Sequence, residues 1–474
     1  MRSFGLRFST GQSLVVASLA PIIILLFLNM GYTWLGITLV VLSAAVVVVS
    51  FRGRRLTGWV AAVFAWLWRR RKPVEPPSEP VVGATVKPGD HVAVRWQGDF
   101  LIAVIELLPR PFTPTVIVDG QVHTDNVLDT ELVERLLSVL CPDLEADIVS
   151  AGHRVGKTAS AEVVSLYEQI IGRDPAPVHR RTWIMLRGDP VRTRKSAQRR
   201  DVDVAGLARY LVASATRLAD QLASNGVDAV CARSFDDFDR ATDIGFEKEG
   251  WSKIAGREGY TAAYAAPGGP NVWWSAPADH IITRVRVACG AAPRSTILLT
   301  TPGKPTKLPG FIRLLGAQRA GLEGRQSLIA DRHGRLPIGS AGVLLGATPR
   351  GFPVYMPFDD VDVSIDLSDS NTFVQFVLRA AAGGGVVTLG PQFQELAGLL
   401  GAHLGAEGAE SKVVWPNATT YLGPHPGIDR VILQPDFIGT PRHRQLPIRP
   451  ISPPEEERYH NAASSMIMAA AEGR

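Results

Sequence analysis

Residues 8–51 hold no Asp, Glu, Lys, Arg or His, and their apolar positions fall into two runs with a polar break between them. The first run extends from Leu14 to Leu28, the break is Asn29, Met30 and Gly31, and the second run extends from Tyr32 to Phe51. A hydrocarbon core about 30 Å thick takes about 20 helical residues. The second run covers that alone, and the first does so with help from residues 9–13. Backbone hydrogen bonds must close within each segment in lipid, so the pattern predicts a transmembrane helical hairpin over residues 1–55. A secretory leader would show a single apolar core of about 7–15 residues before a cleavage site, rather than a second, longer run.

Residues 56–68 follow, with Trp59, Phe64, Trp66 and Trp68 between two arginine clusters. They are too few to cross a bilayer. Tryptophan suits the headgroup boundary, so residues 56–72 are predicted to form an amphipathic helix lying in the inner interface. Its exposed apolar positions are an expected contact surface. Pro73, Pro76, Pro77 and Pro80 then make 73–81 an extended linker.

From there the periodicity is that of an α/β protein. Strands are predicted over 91–96, 100–107 and 115–118, where Val, Ile and aromatic residues alternate with Gly, Asp and Pro punctuation. A helix is expected over 129–140. Strand 182–186, helix 202–223 and strand 227–232 suggest a parallel βαβ unit, with a hairpin at 272–288 and 295–301 beside it. These make a cytosolic segment over 82–301. An irregular connection over 302–340 leads to a second α/β segment at 341–446. Its expected strands are 352–358, 361–367, 386–389, 413–415 and 431–433, and its helices 372–382 and 393–404. The two segments are either two subdomains or one mixed sheet split by an insertion. The tail, 447–474, is expected to be loosely held.

Charge sharpens the membrane reading. The net charge of +5 conceals nine Arg and Lys in residues 1–72 with no acid, which leaves the remainder at −4. Arg2 and Arg7 precede the hairpin, and Arg52, Arg54 and Arg55 follow it, so both ends are expected in the cytoplasm of a multi-pass inner-membrane protein. A mildly acidic soluble part argues against nucleic acid, which calls for a basic patch on the folded domain. The basic excess suits anionic headgroups of the lipid bilayer instead. The three cysteines, Cys141, Cys231 and Cys289, have no paired spacing and fit a reduced compartment.

Chemistry-bearing patterns are sparse. Residues 151–158 (AGHRVGKT) fit a relaxed phosphate loop in which Gly156 opens the backbone, Lys157 meets the outer phosphates and Thr158 a magnesium ion. Ala151 replaces the leading glycine, and no metal-holding Asp follows convincingly. Asp360 and Asp362 could together hold a divalent metal and a sugar nucleotide's diphosphate. However, Asp360, Asp362, Ser364 and Asp366 alternate with Val361, Val363, Ile365 and Leu367, the period of a half-buried strand with a wet acidic face. His153, His179, His280, His403 and His443 lack ligand spacing and read as surface or core residues. The cluster Arg187, Arg192, Arg194, Lys195, Arg199 and Arg200 reads as a solvated basic loop that could reach lipid or an acidic partner.

Four stretches carry a resemblance: residues 5–11 (GLRFSTG), 53–60 (GRRLTGWV), 89–96 (GDHVAVRW) and 415–421 (WPNATTY). They resemble EccE, a membrane component of the mycobacterial type VII (ESX) secretion machinery, nearest to the paralogue of the virulence-associated system. The resemblance implies a non-enzymatic structural subunit of an inner-membrane complex with EccB, EccC and EccD, which exports WXG-type proteins. It implies no cofactor, metal or catalytic residue, since EccC is the ATPase motor there. Two readings from the residues alone stand beside it: a membrane-anchored glycosyltransferase-like enzyme built on Asp360 and Asp362, and a nucleotide-dependent regulator built on Lys157.

Overall fold

The structure is a computed structural model that describes residues 4–6, 34, 38, 49–51, 54–69, 92–118, 121–153, 179–201, 203–257, 259–265, 273, 276, 278–303, 308, 311–324, 334–400, 402–406, 408, 410–443, 445–452 and 454–455. Most of the expected hairpin, with Leu14, Leu28, Tyr32 and Arg52, lies outside these residues. Among those described, no helix is long and apolar enough to cross a membrane. Within the second apolar run Trp34 and Thr38 are helical, and the Thr38 hydroxyl donates to the Trp34 carbonyl at 2.8 Å. That run does not stay helical to Phe51. Val49–Phe51 is a strand that pairs with Phe4–Leu6 on one side and Arg54–Arg55 on the other, in keeping with the strand preference of β-branched and aromatic residues. The pairing of Phe4 with Phe51 brings the two flanks of the uncharged segment together. Leu56–Arg69 is a helix, inside the 56–72 span expected to form one.

The first α/β segment is built on six elements: β1 (Phe100–Leu107), α1 (Thr130–Leu140), β2 (Glu145–His153), β3 (His179–Gly188), α2 (Asp203–Ser224) and β4 (Ala229–Cys231). The spatial order β4-β1-β3-β2 is that of a split βαβ fold. The expected βαβ unit is present with one correction. β3 and β4 are not neighbours, because β1 lies between them and pairs antiparallel with both; Leu107 lies opposite Thr182 and Ala229. Three strands extend the sheet beyond β2, namely β5 (Gly259–Ala265), β6 (His280–Ala288) and β7 (Ala291–Thr301), in the order β2-β6-β7-β5. Phe246–Glu249 and Ile254–Gly256 finish that edge.

Both faces of this sheet are covered. Leu101, Ala103, Ile105 and Leu107 of β1 pack with Val133 and Leu137 of α1 and with Leu211, Leu218 and Leu222 of α2. Ile102 and Val104 face the other way, with Val149, Trp183 and Met185, beneath Phe235, Phe238, Leu314 and Ala320. Burial on both sides explains why β1 reads as one apolar run rather than an alternation.

The second segment contains β8 (Pro353–Met356), β9 (Val363–Leu367) and α3 (Ser370–Ala382). β9 lies between Thr419–Leu422 and Asp429–Leu433, parallel to both. The hairpin of Thr115–Val118 and Gln121–Thr124 crosses from the first segment to pair with β8. Asp369 caps α3 by accepting from the Thr372 amide at 2.7 Å. At the start of the tail, Ile448 and Ile451 are buried and Arg449 pairs with Glu455.

Candidate functional site

Two places join parts that the sequence separates. At the first, the ring of Trp251, in the turn before Ile254–Gly256, meets Trp59 at a centroid distance of 6.1 Å and Trp66 edge-on at 5.6 Å. Trp59 and Trp66 are seven residues apart, two turns, and so share one helix face. Trp251 in turn rests on Gly316, whose φ of +69° and lack of a Cβ admit the ring; a Cβ there would lie 2.5 Å from it. The helix expected at the inner interface thus turns two of its tryptophans toward the domain. Trp59 and Trp66 are half-buried against the domain, while Val63, Phe64 and Trp68 remain exposed.

At the second, β3 begins where it touches the second segment. The His179 Nδ1 lies 2.8 Å from Asp359 Oδ2, and its Nε2 lies 3.0 Å from the Gly383 carbonyl. Both ring nitrogens therefore face acceptors, an arrangement that only the doubly protonated ring satisfies fully. Burial pulls the imidazolium's pKa down, but Asp359 and the Gly383 carbonyl outweigh it, so the net shift is upward. The Ser340 hydroxyl donates to the same Asp359 oxygen at 2.6 Å and accepts from the Arg180 amide at 2.9 Å. Arg181 bridges Glu106 at 2.5 Å and Asp237 at 3.2 Å alongside. Serine, aspartate and histidine meet here, but not as a nucleophile and its base. Ser340 points at the carboxylate, and the far histidine nitrogen is engaged by a carbonyl.

The other sequence candidates do not gather into a site. Asp360 and Asp362 are both exposed, and Asp362 accepts from the Thr419 amide at 2.7 Å. Among the described residues no group of three His, Cys, Asp or Glu is placed to hold a metal. Ala151, Gly152 and His153 complete strand β2, with Gly152 opposite both Arg180 and Ile281. Gly156, Lys157 and Thr158 lie outside the described residues. Phe51, Arg54 and Arg55 sit in the short N-terminal strands. The basic loop differs from its expectation at one end: Arg187 belongs to β3 and is buried, while Arg192 pairs with Glu145 at 2.5 Å. Sequence spacing gave no sign of Trp251 or of the His179–Asp359 pair, because both are contacts between distant segments.

Comparison with known proteins places these features in a family. Over 458 residues, 97% of this chain and 98% of the relative, the sequence is 71% identical to the ESX-1 secretion system protein EccE1 of Mycobacterium tuberculosis. The chain belongs to the EccE family. The EccE family model, described as a candidate type VII ESX secretion system translocon, matches residues 176–266, which run from just before β3 to the end of β5. The EccE1 of Mycolicibacterium smegmatis is 62% identical over 98% of this chain and 99% of its own length. The ESX-5 secretion system protein EccE5 of Mycobacterium marinum is 27% identical over 52% of this chain and 62% of its own length. The EccE match thus includes a residue from each junction, since His179 and Trp251 both fall within 176–266.

Proposed function

We propose that this chain is a non-enzymatic structural subunit of an ESX-type inner-membrane complex, which holds an α/β body against the cytoplasmic face of the bilayer. The observation that carries the reading is the near-full-length identity to proteins named as ESX-1 secretion system components. In this reading residues 9–28 and 32–48 cross the membrane, both termini are cytoplasmic, and the chain contacts EccB, EccC and EccD. The charge-free segment 8–51, the basic flanks and the paired strands at its two ends all support an anchor that enters and leaves on one side. The exposed Phe64 and Trp68 support a helix that offers one face to the membrane interface while the other grips Trp251.

Gentle detergent extraction of an affinity-tagged chain, followed by native electrophoresis and mass spectrometry, tests the proposal. Recovery in a large particle with EccB, EccC and EccD supports it, and loss of that particle from a deletion strain supports the stabilising role. Recovery only as a lone chain overturns it.

A further inference from the structure

His179 stands at one end of β3, and at the other end, roughly 25 Å away along the strand, three arginines surround one carboxylate. Asp147 is fully buried. Its Oδ2 lies 3.1 Å from Arg187 Nη1, 3.4 Å from Arg284 Nη1 and 2.9 Å from Arg286 Nη2, and its Oδ1 lies 2.7 Å from Arg286 Nε. All four side chains lie on one face of the sheet, since Asp147 shares its face with Val149, Arg187 with Met185, and Arg284 and Arg286 with Ile282. Arg187 also lies over the Phe100 ring at 4.1 Å.

Asp147 does not satisfy this cluster. Arg187 and Arg284 are only 4% and 6% exposed, yet each makes a single hydrogen bond, and the Nε of each is buried without an acceptor among the described residues. A guanidinium carries five donors, so most of the donor capacity here is unspent. Charge points the same way, with three cations around one anion. Among the described residues, Glu145 also lies 4.0 Å from Arg286, but it already pairs with Arg192. Glu323 is held by Arg319 at 2.8 Å. Desolvated cations without counter-charge are costly, and burial draws the Arg284 guanidinium down to about 10. Arg286, Glu145 and Arg192 are partly exposed and form a rim open to solvent. Gly324 covers the cluster with backbone alone. Its carbonyl accepts from Arg286, and a side chain at its φ of +68° would strike Arg284.

We propose that Arg187, Arg284 and Arg286 form a phosphate-binding site, with Asp147 fixing the arginine forks. Inorganic phosphate or a phosphate monoester supplies at least three acceptor oxygens and close to two negative charges, which matches the donors and the charge left over, and a phosphodiester headgroup supplies two free oxygens and one charge. Arginine's rigid fork suits that anion better than lysine would. The phosphate group comes either from a soluble phosphate or from an anionic phospholipid headgroup. The covering segment 316–324 starts at the Trp251 seat of the interfacial helix, which is what brings a headgroup into question.

The full chain in nanodiscs of neutral lipid is heated with inorganic phosphate or with chloride at matched ionic strength, and again in nanodiscs containing phosphatidylglycerol. The site predicts a saturable rise of the unfolding midpoint with phosphate but not chloride, on the order of a few degrees, absent in Arg284→Gln. A rise seen only with phosphatidylglycerol, and again lost in Arg284→Gln, assigns the headgroup as the source. Arg286→Gln, at the exposed rim, serves if Arg284→Gln does not fold. No saturable rise with either source, or an equal rise in the variants, overturns the site and leaves an internal ion network.

Discussion

At the scale of single residues, the structure turns on a few side chains that carry disproportionate consequences. Trp251 holds the helix Leu56–Arg69 by two aromatic contacts, each worth about 0.5–1.5 kcal/mol beyond buried area. Trp251→Ala is therefore expected to free the helix. Limited trypsin digestion should then cut at Arg69, Arg70 or Arg71 sooner than in the parent chain; an unchanged cleavage rate would count against the seat. Asp147 shows the opposite kind of leverage. Asp147→Asn leaves three arginines without an anion and should cost about 3–5 kcal/mol, whereas Asp362→Asn, exposed, should change stability by about 0.5 kcal/mol or less. Thermal unfolding of the two variants separates these outcomes. Asp147 also sets an acid limit. Burial favours its neutral form, but Arg286, Arg284 and Arg187 outweigh burial and hold the pKa below 3.8. Its contribution is present above that value and is lost as pH falls through the lower folded value.

At the scale of elements, the sequence shows where its limits lie. Phe100 to Leu107 and Thr115 to Val118 were legible as strands to the residue, and the helices at Thr130–Leu140 and Asp203–Ser224 to within a residue or two, because apolar spacing and turn residues mark them locally. The insertion of β1 between β3 and β4 was not legible. Neighbours in a sheet are set by long-range pairing, and β3 and β4 do run parallel as the strand-helix-strand order suggests. β9 is an intermediate case. Its alternation placed Val363 and Ile365 inside, correctly, but Ser364 is buried too, and Val361 is exposed ahead of the strand. Ser364 is buried because its hydroxyl donates to the Gly423 carbonyl, whereas Asp366 on the same face stays partly exposed and pairs with Arg430, so the wet face is present in part. A strand such as EADIVSAGH, with an acid amid apolar positions, does carry a local sign that Asp147 needs partners. Which arginines answer it was beyond reach from spacing. The long helix α2 makes the element-scale prediction: Leu211→Ala, at 0% exposure, should cost about 2–5 kcal/mol, and Val204→Ala on its exposed side little. Equal midpoints for the two would contradict the packing of α2 on the sheet.

At the scale of the whole molecule, the first and second segments meet through a titratable pair, so their union should depend on pH. His179 faces Asp359, with Asp360 also acting on it and the Arg181 pair with Glu106 alongside. Its pKa is raised above 6.5 by Asp359, against the pull of burial. The sign follows from linkage: the imidazolium's contribution is whole below 6.5 and is lost as pH rises through the higher folded value. A hydrogen bond to a charged group is worth about 1.5–3 kcal/mol, enough to alter how firmly β3 is seated on the second segment without unfolding either. Going from pH 6 to pH 8 should therefore lower the unfolding midpoint of the parent chain more than that of His179→Gln. Amide exchange at the start of β3 should speed up over the same interval in the parent alone. Parallel pH profiles for the two proteins would mean that the pair contributes nothing to the junction. If the profiles diverge as expected, the pH around this domain becomes a lever on how the two segments sit together.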